Sequence, residues 1–228
     1  QIGKGGNFGD FQIDVFNPDT GEDGTVYLGG TDDSRQANKL DYDNLSLALI
    51  SDYQLGNQLI TFGVEYEEQN IFNMFVQHSL GGEWDFNSID DFENGVARVF
   101  YGNAPSLDPK DAGADWSYDI TTLFAQSEVQ FSDMLEVTYG VRYEKYGVSG
   151  QPALNQNFVD AYGYPNTYTY DGADVLMPRV SFTLNLNEST EVYGGYGVFS
   201  GGNPNVWYSN MFSNDGVTAI QLNERGVD

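Results

Sequence analysis

Alternation of apolar and polar residues is the feature that most limits what this chain can fold into. In the stretch LEVTYGVRYEKY (Leu135–Tyr146), every odd position from Leu135 to Tyr143 is apolar, and the positions between are polar or small. Side chains of a strand point alternately to its two faces, so this stretch predicts a strand with one apolar and one polar face. The apolar face must pack on a protein core, as in a soluble sandwich, or on lipid, as in a transmembrane barrel.

Six segments alternate in this way, and short connections join them into three predicted β-hairpins. The short connections are Leu55–Asn57, Ser132–Met134 and Asn187–Thr190. The connections between hairpins are long, and they comprise Ile71–Tyr118, Gly147–Met177 and the residues after Ser200. The predicted strands are Asp43–Gln54, Gln58–Glu68, Thr121–Phe131, Leu135–Tyr146, Arg179–Leu186 and Glu191–Phe199.

Short and long connections in strict turn are typical of outer-membrane barrels, which have short periplasmic turns and long extracellular loops. A strand of about ten residues, tilted by about 45°, crosses the apolar band of such a barrel. No apolar run is long enough for a membrane helix, and a mean hydropathy of -0.42 is compatible with alternating strands. The sequence therefore predicts an all-β fold, namely an antiparallel transmembrane β-barrel segment with long extracellular loops. A soluble β-sandwich is the alternative.

Both faces of the predicted sheet carry further signals. Aromatic residues near the strand ends are placed where the aromatic girdle of a barrel would lie. The polar positions would face a hydrated lumen. The girdle candidates are Tyr53, Tyr66, Phe131, Tyr143 and Tyr146. The lumen candidates are Glu65, Glu67, Gln126, Glu128, Glu136, Arg142 and Arg179.

The charge balance limits the partners. The chain has 34 acidic and 9 basic residues, a net charge of -25. Nucleic acid is not expected as a partner, because binding phosphate needs a basic surface. The acidic residues either keep the loops solvated or attract cations, including divalent ions that bridge the loops to an anionic surface. The absence of cysteine excludes disulfides and thiolate sites.

Catalytic and metal-binding motifs are weak. His78 is the only histidine and has no second His or Cys to join it, so no enzymatic activity is expected. The loop NPDTGEDG offers oxygen ligands of the kind that Ca²⁺ prefers, but it lacks the EF-hand spacing, and a solvated loop is the simpler interpretation. Ca²⁺ is therefore the one cofactor considered, with no firm metal site. The candidate calcium ligands are Asn17, Asp19, Glu22 and Asp23.

Aromatic residues in the predicted extracellular loops are the candidate ligand contacts. They lie among Asn, Asp and Gly, a setting that suits recognition of a sugar, a peptide or an accessory protein. They could equally pack one loop against another. The candidates are Trp84, Trp116, Trp207 and Tyr208.

The stretch YDITTLFAQSEVQFSDMLEVTYGVRYEKY resembles a barrel hairpin of TonB-dependent outer-membrane receptors. Four further stretches, in this order, resemble the Oar-like branch of that family, and the resemblance covers most of the chain from about Thr25 onward. They are SRQANKLDYDN, GVEYEEQNIFNMFVQ, FNSIDDFENG and PRVSFTLNLNESTEVYGGYGVFSGGNPNVWYSN.

The resemblance implies a barrel of 22 strands, closed by a plug and energised through TonB. We expect residues 1–228 to be part of that barrel domain, supplying about six to eight strands, with no signal peptide, TonB box or plug in this stretch. The implied location is the bacterial outer membrane. The implied partners are outer-membrane lipid and lipopolysaccharide, the TonB complex through an N-terminal part, and an extracellular ligand or accessory surface protein.

Three classes of function stay open from the sequence. The first is a segment of a TonB-dependent receptor that imports or exports a ligand. The second is a non-transporting outer-membrane surface or adhesive protein. The third is a soluble β-sandwich that binds carbohydrate through loop tryptophans.

Overall fold

The computed structural model describes residues 11–17, 20–28, 36–201 and 205–227. Within these ranges the chain forms eleven strands, three short α-helices and one 3-10 helix at Pro109–Ala112. The strands are β1 Phe11–Asn17, β2 Glu22–Leu28, β3 Ala37–Leu55, β4 Gln58–Val76, β5 Glu83–Asp85, β6 Ala97–Asn103, β7 Ala114–Gln130, β8 Leu135–Ser149, β9 Asp174–Asn187, β10 Thr190–Gly197 and β11 Ile220–Val227. The helices are α1 Ile89–Asn94, α2 Gln156–Tyr162 and α3 Asn205–Ser213.

The six predicted segments form one antiparallel sheet in the order β10-β9-β8-β7-β4-β3. This confirms the predicted architecture. The short connections β3–β4, β7–β8 and β9–β10 lie at one end of the strands, which is called the turn edge below. Because consecutive strands are antiparallel, the long connections lie at the opposite end, the long-connection edge. The sheet is open, since no further described strand pairs with β3 or β10 along its outer side.

Cross-strand register places the predicted apolar residues on one face. Leu49, Val64, Leu123, Tyr143 and Leu176 lie directly opposite one another across five strands. Three of them, Leu49, Leu123 and Leu176, are 69%, 53% and 60% exposed. A soluble sandwich would cover this row with a second sheet, and no described element does so. The row is therefore suited to contact lipid and not to form the core of a sandwich.

Five of the six strands are longer than the alternation predicts, chiefly at the edge away from the short turns, whereas β10 ends at Gly197, two residues before the predicted Phe199. β4 continues from Glu68 to Val76, and β7 begins at Ala114 and not at Thr121. At about 3.3 Å per residue and about 45° of tilt, the 19 residues of β4 exceed the apolar band of a membrane, which is about 25 Å tall. The extra residues pair beyond the lipid, where backbone hydrogen bonds hold the strands together without alternation. This explains why the predicted strands are too short at that edge.

The long connections contain regular structure that the sequence did not predict. Strands β11, β6 and β5 form a second, three-stranded sheet. Ahead of β3, and outside these connections, β1 pairs with β2 in a hairpin. Helices α1, α2 and α3 have only 6, 7 and 9 residues, so the fold is predominantly β. No described helix is long and apolar enough to cross a membrane.

One girdle candidate is on the wrong face. Tyr146 pairs with Ile120 in the row that also contains Glu67, on the polar side of the sheet, and its hydroxyl donates to Glu144. Tyr53 and Phe131 are exposed at the turn edge, as a girdle requires. The error arises because the apolar residues from Leu135 to Tyr143 occupy odd positions, whereas Tyr146 occupies an even position and so points to the other face.

Candidate functional site

An ion-pair network occupies the centre of the polar face. Arg142 on β8 donates from Nη1 to Glu65 Oε2 and from Nε to Glu144 Oε1, both at 2.7 Å. Its Nη2 donates to the hydroxyl of Thr122 at 3.1 Å, and Thr122 is almost fully buried. The guanidinium therefore joins β4, β7 and β8 through one planar group whose fork geometry fits carboxylates.

The network extends to the connection that follows β10. The second carboxylate oxygen of Glu144 accepts hydrogen bonds from the hydroxyls of Tyr146 at 2.8 Å and Ser200 at 2.7 Å. The amide of Ser200 lies 3.0 Å from the sulfur of Met177, which is buried on the same face. The chain after β10 is thus held against the polar face of the sheet, above the ion pairs.

Helix α3 lies on this face at the long-connection edge. Trp116 and Ile71 are opposite each other in the register and both are buried. The indole Nε1 of Trp116 donates to Ser209 at 3.0 Å, and the ring of Phe212 stacks on it at 5.5 Å with an angle of 14°. Asn205 donates to Gln69 Oε1 at 2.5 Å. One helix therefore covers the end of the predicted lumen wall with an aromatic cluster and two polar contacts.

Asp215 joins two of the long connections. Its carboxylate accepts hydrogen bonds from the amides of Val217 and Thr218 and the Thr218 hydroxyl, and from the amide of Ala153 in the β8–β9 connection. Burial alone would raise the pKa of Asp215, but these hydrogen bonds outweigh it and lower the pKa below the usual aspartate value. The ionised carboxylate is therefore the form that holds the two connections together.

The predicted aromatic contacts separate into two groups. Trp116 and Tyr208 belong to the aromatic cluster, with their ring centroids 5.9 Å apart. Trp207 on α3 is 73% exposed and Trp84 on β5 is 48% exposed, its indole donating to the carbonyl of Gly81. Trp116 is thus a packing residue in this state, while Trp84 and Trp207 present free surface. Their role as ligand contacts stays a prediction.

Several residues of this site were not found from the sequence. Tyr170 packs on Tyr208 at 4.4 Å, and burial raises the pKa of its phenol. Phe212 and Gln69 were likewise unassigned. The β4 and β7 residues could have been found, because side chains of a strand change face at every residue. Continuing that two-residue period past Glu68 places Gln69, Ile71, Trp116 and Tyr118 on the polar face. Tyr170 and Phe212 come from connections that carry no periodic signal.

His78 lies away from this cluster. It follows β4 with a positive φ of 55°, and its Nδ1 is 3.2 Å from the Glu83 carboxylate. The neighbouring Ser79 hydroxyl is buried and has no hydrogen-bond partner among the described residues. A Ser-His pair is therefore not formed, and the expectation that the chain is not an enzyme stays a prediction.

The candidate calcium ligands lie outside the described residues, as Asp19 is not described and neither are the side chains of Asn17, Glu22 and Asp23. Among the described side chains no group of three or more His, Asp or Glu residues could hold a metal ion.

Comparison with known proteins identifies the family. A family model described as "Outer membrane beta barrel domain" matches residues 4–225, nearly the whole chain. No curated protein and no solved structure matches. The six-stranded sheet has the features that such a domain requires, an apolar row open to lipid and a charged opposite face. The chain belongs to the outer membrane beta barrel domain family and resides in the outer membrane.

Proposed function

We propose that the chain is part of a TonB-dependent outer-membrane receptor of the Oar-like branch, which moves a ligand across the outer membrane. One observation carries the proposal: the connection after β10 is fastened over the polar face, through Ser200 to Glu144 and through Phe212 to Trp116. A large lumen must be covered on its outer side if a ligand is to be selected. An ordered connection over the lumen wall suits that task better than a solvated loop.

The sequence adds support, since the hairpin and the four Oar-like stretches occur in the order of that branch. In this proposal the chain has no enzymatic activity and no resident cofactor. Its partners are lipid and lipopolysaccharide on the apolar face, the TonB complex through another part of the full-length protein, and an extracellular ligand or accessory surface protein.

A second candidate is a non-transporting surface protein. The second sheet and the exposed Trp84 and Trp207 favour it, because they present aromatic surface that a transport channel does not need. In that case the barrel would mainly display the acidic connections for adhesion. A soluble carbohydrate-binding module is no longer a candidate, because the protein resides in the outer membrane.

Cross-linking to TonB distinguishes the two candidates. The full-length gene product carries an affinity tag, intact cells are treated with formaldehyde, and the purified protein is probed for TonB. A strain without TonB supplies the background. A receptor is expected to trap TonB above that background. A full-length protein that reaches the outer membrane and traps none would contradict the receptor proposal and favour the surface protein.

A further inference from the structure

A groove crosses the polar face on the turn side of the Arg142 network. Two adjacent rows of the sheet form its floor, and its volume is about 380 Å³. One row runs Gln126, Gly140, Arg179, Gly197 across β7 to β10, and the next runs Glu128, Thr138, Ser181, Gly195. A groove of this size is large enough for a small organic molecule.

Glycines on both sides of Arg179 create the space. Gly140 and Gly197 are its direct neighbours in the row, so no side chain stands beside the guanidinium on either strand. A Cβ at Gly140 would lie 2.8 Å from the carbonyl oxygen of Ala125, and one at Gly197 would lie 2.9 Å from the ring of Phe199. The backbone therefore closes the Gly140 position to larger residues, and the ring of Phe199 lies over Gly197 and forms one wall of the groove.

The guanidinium of Arg179 retains unused donors. Its Nη2 donates to Gln126 Oε1 at 2.5 Å, and Gln126 in turn donates to Glu128 at 2.9 Å. An arginine has five N–H donors, and among the described residues only Gln126 accepts from this one. Arg142, the other base described on this face, is neutralised by two carboxylates at 2.7 Å. Arg179 forms no ion pair with any described residue, in a chain with a net charge of -25.

We propose that this groove binds the carboxylate of a small organic ligand inside the barrel lumen. The carboxylate accepts from the free edge of the Arg179 guanidinium, whose planar fork matches it. The hydroxyls of Thr138 and Ser181 line the floor for polar groups of the ligand, and its apolar part lies against Phe199. The proposal depends on the chain lining a barrel lumen and does not depend on TonB.

Fluorine NMR of the full-length protein in detergent tests this site. The probe is 4-fluorobenzoate, and 4-fluorobenzamide is its neutral counterpart of the same shape. Exchange broadening of the benzoate signal is expected with the wild-type protein, and the benzamide signal is expected to stay narrow. Equal broadening of both probes, or of neither, would overturn the proposal.

Variants locate the site. Arg179→Gln is expected to weaken benzoate binding at least tenfold, and Phe199→Ala is expected to weaken it several-fold with the preference for benzoate over benzamide retained. Arg98→Gln is the matched control, because Arg98 stacks on Phe100 in the second sheet, away from the groove, and should bind as the wild type does. Wild-type affinity in Arg179→Gln would overturn the proposal. If Arg179→Gln does not assemble, Phe199→Ala decides: unchanged broadening there counts against the groove.

Discussion

At the scale of single residues, the polar face depends on the ion pairs of Arg142. Glu144 is almost buried beside it, and Glu65 is about one-third exposed. Removal of the guanidinium leaves the carboxylates of Glu65 on β4 and Glu144 on β8, on either side of β7, without a counter-charge. The cost of two unpaired charges exceeds what the ion pairs themselves contribute to stability.

We expect Arg142→Gln to lower the stability of the full-length protein by about 2 kcal/mol, since two charged hydrogen-bond acceptors lose their donor. Thermal unfolding of the detergent-purified protein measures the change. Lys145→Gln on the same strand but the apolar side is the control and should unfold close to the wild type. Equal unfolding temperatures for the two variants would contradict the role of the network.

Asp215 gives the site a dependence on pH. Its pKa is lowered in the folded protein, so its contribution is present above the usual aspartate pKa of about 3.9 and is lost as pH falls through the lowered pKa. We expect the amides of Val217 and Thr218 to exchange faster, after correction for intrinsic rates, below that range.

Asp215→Asn should show the same fast exchange already at pH 7, because a neutral side-chain amide accepts less well than a carboxylate from the four donors that Asp215 holds. Asp160→Asn provides the control, as that exposed carboxylate of α2 accepts only from Gln156 among the described residues. If the amide exchange rate of Val217 changes neither with pH nor in Asp215→Asn, the carboxylate does not anchor this connection.

At the scale of elements, the side chain of Phe212 anchors α3 to the polar face of the sheet. The ring is 8% exposed and stacked on Trp116, whereas Val206 on the same helix is 58% exposed. We expect Phe212→Ala to release the helix, because truncation of a buried aromatic costs about 3 kcal/mol or more. Val206→Ala should leave it docked.

A cysteine reporter measures this release. The chain has no cysteine, and Ser209 is 1% exposed on the buried side of α3, so Ser209→Cys should react slowly with a maleimide. The reaction should accelerate at least tenfold when Phe212→Ala is added and should not change with Val206→Ala. Slow labelling in both backgrounds would mean that other contacts hold α3.

Strand β3 tests which face meets lipid, because neighbouring residues lie on opposite sides. Leu49 belongs to the apolar row, and Ile50 lies beside Gly63 on the polar side. An arginine on the lipid side near mid-membrane costs about 2–4 kcal/mol, whereas one in a hydrated lumen is tolerated. We expect Leu49→Arg to reduce the amount of folded full-length protein in outer-membrane fractions and Ile50→Arg to have little effect. The reverse ranking would invert the assignment of faces.

At the scale of the whole molecule, the alternation of short and long connections predicts its orientation. The short turns should face the periplasm, and the long connections should lie outside the cell. Between Glu83 and Asp119 there are nine acidic and two basic residues. In this orientation the long connection presents a negative surface that attracts cations, less strongly as salt rises.

Labelling of intact cells checks the orientation with two matched aspartates. Asp108→Cys in the β6–β7 connection should react with a membrane-impermeant maleimide, and Asp133→Cys in the β7–β8 turn should react only after the cells are opened. Both positions are exposed, so access and not burial decides the result. If Asp133→Cys labels on intact cells while Asp108→Cys does not, the orientation is reversed.

The sequence by itself determined the membrane-spanning part. Lipid requires apolar side chains on the face that it contacts, so the sequence must alternate around residues such as Leu49, Val64 and Leu123. The strands, their pairing and the face of each could be predicted from that alternation. Outside the lipid that constraint disappears. The second sheet and α3 carried no periodic signal, and the ends of β4 and β7 kept the two-residue period of a strand without the apolar and polar contrast that marks where a strand ends.

Only the tertiary structure decided which distant residues meet. Glu144 meets Ser200 and Trp116 meets Phe212 because two connections fold back over the polar face. Arg179 reaches Gln126 across β8 because Gly140 leaves the row open between them. Such contacts depend on cross-strand register and on the course of aperiodic segments. Local sequence does not specify them, because their energy comes from partners tens of residues away.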